Sequence, residues 1–183
     1  MAGSGRTVVL GLGNPVLSDD GVGLAVATEL TRLLAVEPIR GVDVLASTRA
    51  GFELIDLLRG YTRAIILDCI VLPDPEPGRV CRLTLDDVSG CARLVNVHEV
   101  SVGTAFRLAE RMGVPMPHEV EIIAVEAGDA STIAEGLTPA VQATVAPLAR
   151  EIHASLKRDE PAGDPPDTED FSKRRAFYSP EIE

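Results

Sequence analysis

Asp20, Asp68 and His98 each stand where a strand-like run gives way to the next segment. Asp20 closes the stretch Gly11-Leu12-Gly13-Asn14-Pro15-Val16-Leu17-Ser18-Asp19-Asp20, just before Gly21. Asp68 ends the apolar run Ala64-Ile65-Ile66-Leu67, and His98 lies in Val95-Asn96-Val97-His98-Glu99-Val100-Ser101, immediately before a helical pattern. Taken singly, each has an ordinary explanation. An acidic residue at a helix start is stabilising by about 0.3–1 kcal/mol, and a lone histidine is more often a surface residue or a cap, as His118 and His153 are expected to be. Taken together they are a different matter, because two carboxylates and one imidazole can bind a divalent transition metal and leave coordination positions open.

Whether the three meet depends on the elements that carry them. Thr7–Leu12 is a continuous apolar run stopped by Gly13 and Asn14, the pattern of a strand buried on both faces. Val22, Val26, Leu30 and Leu33 then recur at helical spacing, with Ser18, Asp19 or Asp20 available as a cap. A second strand follows at 42–46, and a short helix at 51–59 with Phe52, Leu54, Ile55 and Leu58 on its inner side. The third strand is 63–68. The loop Pro73-Asp74-Pro75-Glu76-Pro77-Gly78 is too turn-prone to be regular and reads as a hairpin-like connection to a fourth strand, 79–85, antiparallel at an edge.

Val102, Ala105, Phe106 and Ala109 share one face of a helix over 101–112, and 119–125 is the fifth strand. The last helix starts with Thr138 as N-cap and Pro139 in its first turn and runs to about Leu156. Pro147 inside it predicts a kink or a brief break near Thr144. This order gives an α/β fold, a three-layer sandwich with a mostly parallel, twisted five-stranded sheet and helices on both faces. Ligands of such sheets bind beyond the carboxyl ends of the strands, and that edge is where Asp20, Asp68 and His98 would gather.

Composition removes several classes of function. The chain has 183 residues, 45% hydrophobic and 25% charged, as expected of a globular domain with one core. Residues 1–158 are read as that domain. Residues 159–183, with eight acidic and three basic side chains and four prolines, are read as a disordered tail. A net charge of -11 opposes a polyanion, so no nucleic-acid partner is expected. No apolar run approaches the roughly 20 residues a bilayer helix needs, and no signal-peptide pattern is present. Cys69, Cys81 and Cys91 suit neither a disulfide framework nor a paired zinc motif, so free thiols and a cytoplasmic monomer are expected.

Other chemistries find less support. As a dinucleotide fingerprint the Gly11 stretch fails, since Val16 stands where the third glycine should be. Two acids at the helix start also oppose a pyrophosphate. Cys69 follows Asp68 on a strand, so its side chain takes the opposite face, toward the core. Glu99 and Glu126 are either supporting carboxylates or solvated surface groups.

The Gly-Leu-Gly-Asn…Asp-Asp-Gly opening, Ile65-Ile66-Leu67-Asp68, His98-Glu99 before a helix, and Gly136-Leu137-Thr138-Pro139 before the last helix occur in this order over about residues 7–156. Together they resemble the hydrogenase maturation proteases. The resemblance implies an endopeptidase that trims a C-terminal peptide from the nickel-loaded large-subunit precursor of nickel-iron hydrogenase. Nickel would be supplied by the precursor and would serve as the recognition element. Asp20, Asp68 and His98 match the positions of the family's metal-contacting, catalytic set. Where many members carry an Asp-Gly-Gly-Thr-type stretch, this chain has Ala46-Ser47-Thr48-Arg49-Ala50-Gly51 and so lacks an acid there.

Two other readings use the same residues. One is a non-catalytic assembly factor that docks on the same precursor. The other is a peptidyl-tRNA hydrolase, which shares Gly-Leu-Gly-Asn-Pro, but whose expected Thr-Arg-His-Asn run is replaced here by Val16-Leu17-Ser18-Asp19-Asp20.

Overall fold

The computed structural model describes residues 5–48, 51–88 and 102–160. Five strands form one sheet in the order β2-β1-β3-β5-β4. These are β1 (Thr7–Leu12), β2 (Val42–Ser47), β3 (Arg63–Ile70), β4 (Val80–Leu83) and β5 (Glu119–Glu126). β1 pairs in parallel with β2 and β3, and β3 in parallel with β5. The apolar runs of β1, β3 and β5 are continuous because these strands are covered on both faces.

β4 is antiparallel at an edge, as expected, but the loop before it is not a hairpin. Both sides of β3 are taken by β1 and β5, so the chain crosses beyond β5, where Val80 pairs with Val125 and Leu83 with Ile122.

The helices are α1 (Val22–Val36), α2 (Glu53–Leu58), α3 (Leu85–Val88), α4 (Val102–Arg111) and α5 (Pro139–Arg158). Period-2 alternation sends the odd-numbered residues of β3, Ile65, Leu67 and Cys69, into a core with Val22, Val26 and Leu30 of α1 and Val145, Leu148 and Ile152 of α5. The even-numbered Ala64 and Ile66 pack instead with Leu54 and Leu58 of α2 and Val102 and Ala105 of α4. Helices thus cover both faces, and each fully buried leucine or isoleucine contributes about 1.5–3 kcal/mol. Gly23 lets α1 sit directly over the strand ends: a Cβ there would lie 2.3 Å from the Leu12 carbonyl oxygen and 2.4 Å from that of Leu67.

Three further expectations change. None of Ser18, Asp19 and Asp20 caps α1 through its side chain; they form a 3-10 turn (Ser18–Gly21), and Gly21 is the N-cap. Phe52 is exposed (58%) rather than inward, because α2 begins one residue later and turns Leu54, Ile55, Leu57 and Leu58 to the core. Of the kink or break expected near Thr144, the break does not occur. α5 continues through Pro147, held by buried Val145, Leu148 and Ala149 and by Thr144 Oγ1, which donates to the carbonyls of Gly78 (3.0 Å) and Ala140 (3.3 Å). Packing outweighs the one backbone bond that proline removes.

His153 is a cap, as expected: it is buried and its Nε2 donates to the carbonyl of Glu37 at the end of α1 (3.0 Å), while His118 is exposed. Past α5, Asp159 pairs with Arg63 (2.8 Å), and the Glu160 carboxylate accepts from the backbone N–H of Arg40 (3.1 Å). The rest of the expected tail, 161–183, lies outside the described residues. Among the described residues, no helix is long and apolar enough to cross a membrane.

Candidate functional site

β1 leads to β2 on one side and has β3 on its other side, so the strand order reverses between β1 and β3. At such a switch point the two departing loops diverge and leave a crevice beyond the carboxyl ends. Asp20 follows β1 and Asp68 lies in the last turn of β3's ladder, and both are buried.

The loop carrying Asp20 folds back on itself. Gly13, at φ 141°, permits this, since a Cβ there would sit 1.9 Å from the Asp20 carbonyl oxygen. The Asn14 backbone N–H donates to Asp20 Oδ2 (2.8 Å), and Val16 N–H donates to Asn14 Oδ1 (3.1 Å). Ser18 takes a left-handed φ of 44°, a conformation that costs energy for a non-glycine residue and clusters at functional sites.

Asp19, fully buried, turns the other way. Its Oδ2 accepts from the backbone N–H groups of Gly128 (2.9 Å) and Asp129 (3.0 Å) and from Thr138 Oγ1 (2.9 Å), and its Oδ1 from the Thr138 N–H (2.6 Å). It therefore anchors Thr138, the N-cap residue of α5, from more than a hundred residues away in sequence. Backbone bonds reinforce the seam: Asp19 N–H to Asp129 O (2.9 Å), Ser18 N–H to Ala134 O (3.1 Å) and Ala134 N–H to Val16 O (3.1 Å).

Asp68 Oδ1 accepts from the N–H of Cys69 (2.8 Å). Cys69 itself points into the opposite core, as alternation requires. Burial pushes its thiol well above the ordinary value, and the nearby charges of Asp68, Asp20 and Asp19 push it further in the same direction. A thiol held protonated in this way is no nucleophile at neutral pH.

Asp20 and Asp68 are thus both buried, one in the loop after β1 and the other near the carboxyl end of the adjacent strand β3. His98, Glu99 and Cys91 lie outside the described residues, and among the described residues no group of three His, Cys, Asp or Glu side chains is arranged to hold a metal. Glu126 is not the solvated group it could have been. It ends β5, is wholly buried, and pairs through Oε2 with Arg79 Nε (2.8 Å), while Oε1 has no hydrogen-bond partner among the described residues. The rule that singled out Asp68, an acid closing an apolar strand at the carboxyl edge, also marks Glu126.

A family model described as hydrogenase maturation protease matches residues 24–155. The chain belongs to the hydrogenase maturation protease family. The hydrogenase 2 maturation protease of Escherichia coli K12 is 26% identical over 153 residues, covering 83% of this chain and 91% of that protein. The hydrogenase expression/formation protein HupD of Bradyrhizobium diazoefficiens is 28% identical over 144 residues, covering 78% and 73%.

Among solved structures, the hydrogenase maturating endopeptidase HybD from E. coli shares the fold, with a TM-score of 0.68 at 23% identity over 84% of this chain and 93% of that one. The maturation protease HybD from Thermococcus kodakarensis superposes with a TM-score of 0.59 at 25% identity, covering 83% and 99%. As a member of this family the chain is an endopeptidase. The Gly11–Gly21 loop precedes the residues matched by the family model, so the placement of Asp20 rests on the fold.

Proposed function

We propose that this protease removes the C-terminal extension of a nickel-loaded [NiFe] hydrogenase large-subunit precursor, and that Asp20, Asp68 and His98 recognise the nickel while the precursor still holds it. The observation that carries the reading is the burial of two aspartates at the carboxyl ends of the neighbouring strands β1 and β3, in a chain of this family. Carboxylate oxygens and an imidazole suit a divalent transition metal.

Docking through the ion would set the sheet edge beside the scissile peptide and make cleavage conditional on metal insertion. Hydrolysis there needs water delivered to the peptide carbonyl. A metal ion can assist by polarising that water or the carbonyl.

The test is to incubate the protein with nickel-loaded and nickel-free precursor and follow the precursor's mass. Loss of a C-terminal peptide from the loaded form alone is expected, and Asp68→Ala or His98→Ala should abolish it without changing the melting temperature. Equal trimming of the nickel-free form, or a fully active Asp68→Ala/His98→Ala variant, overturns the reading.

A further inference from the structure

Six large apolar side chains are notably exposed among the described residues: Val16 (50%), Val36, Phe52 (58%), Val71 (45%), Met112 and Ile133 (83%). Isolated exposed apolar residues are common and need no explanation. Their distribution here does. Val16 follows β1, Phe52 follows β2 and precedes α2, Val71 directly follows β3, and Ile133 lies in the loop after β5. All four are therefore in loops leaving the carboxyl ends of parallel strands, the edge that holds Asp20 and Asp68. Val36 ends α1, and Met112 lies just past α4; both helices run back against the strands, so these two residues mark the opposite edge.

The rim is also built to persist. The loops of Val16 and Ile133 are stitched by the Leu17–Ala134 bridge and the bonds between Ala134 N–H and Val16 O and between Ser18 N–H and Ala134 O (each 3.1 Å). Val71 is one residue beyond Ile70, whose carbonyl accepts from Ala127 N–H (2.9 Å). Val16, Val71 and Ile133 are thus displayed by hydrogen-bonded loops at the edge that holds the buried Asp20 and Asp68.

We infer that Val16, Phe52, Val71 and Ile133 form an apolar docking rim for the protein substrate, whose surface around the scissile bond presents complementary apolar side chains. The inference rests on the function proposed above and adds what that reading leaves open: metal contact at the centre confers the condition for cleavage, and apolar contact at the rim supplies adhesion.

The experiment measures the affinity of the full chain for nickel-loaded precursor by calorimetry, alongside trimming. Phe52→Ser/Ile133→Ser should keep the wild-type melting temperature and weaken binding by about ten-fold or more, raising KM with kcat little changed. Val36→Ser/Met112→Ser, at the far edge, should bind as wild type does. Binding by the rim variant within two-fold of wild type overturns the rim, as does equal weakening by the far-edge variant or no binding by the wild type. Wild-type binding without trimming, weakened by the rim variant, would sink the protease reading and keep the rim.

Discussion

Toward α1 and α5, β3 presents Ile65, Leu67 and Cys69 to a dry core, whereas toward α2 and α4 it presents Ala64 and Ile66 and then Asp68 at the strand end. The first face is closed to its tip: Gly23 brings α1 onto the strand backbones, and the Cys69 thiol is held neutral. The second face ends in charge, with Asp68 on β3 and Glu126 two residues past Asp68's neighbour Ala124 on β5, both on the same side by alternation. One strand thus serves two purposes. The side turned to α1 and α5 carries stability, and Asp68, followed on the other side by Ile70 alone, carries the proposed chemistry.

Substitutions on the two faces should separate stability from trimming. The largest stability effect is expected at Leu30, fully buried between α1 and the sheet. Leu30→Ala should lower unfolding free energy by about 2–5 kcal/mol in denaturant titration, with the remaining folded protein still trimming precursor. Loss of trimming at full stability would break the division of labour.

Asp19→Asn comes next, because an amide cannot accept from all four donors that meet Asp19. A loss of about 1–3 kcal/mol is expected, with faster hydrogen exchange at Gly128, Asp129 and Thr138 N–H. Unchanged exchange at those three amides would show that Asp19 does not clamp the two loops.

The smallest effect concerns pH. The folded thiol of Cys69 is raised above its ordinary 9.0, so the folded state keeps its proton where the unfolded chain loses it. Its contribution to stability is full below about pH 9 and declines as pH rises beyond that. Alkylation of native protein at pH 8.5, read by peptide mapping, should leave Cys69 unmodified while half-buried Cys81 reacts. Labelling of Cys69 at the Cys81 rate would place it outside the dry core.

Most of this was legible in the residues. β1, β3 and β5 announced themselves as unbroken apolar runs; Asp68 stood out because it breaks such a run, and Asp20 because it closes the loop between β1 and the first helix. What escaped depends on contacts between distant segments. Nothing local shows that Asp19 anchors Thr138 at the start of α5 rather than capping α1, or that β5 inserts between β3 and β4. The exposure of Phe52 contradicts its helical spacing because the helix begins after it. Pro147 is overruled by its neighbours' burial against α1.

Everything proposed for the site requires that Asp20 and Asp68 contact a metal still carried by the substrate. Nickel K-edge absorption of loaded precursor, alone and bound to this protease, tests it most directly. Binding is predicted to add oxygen or nitrogen scatterers to the nickel's shell, and Asp68→Ala to remove part of that addition. Identical nickel spectra for free and bound precursor, with binding verified in the same sample, would contradict it.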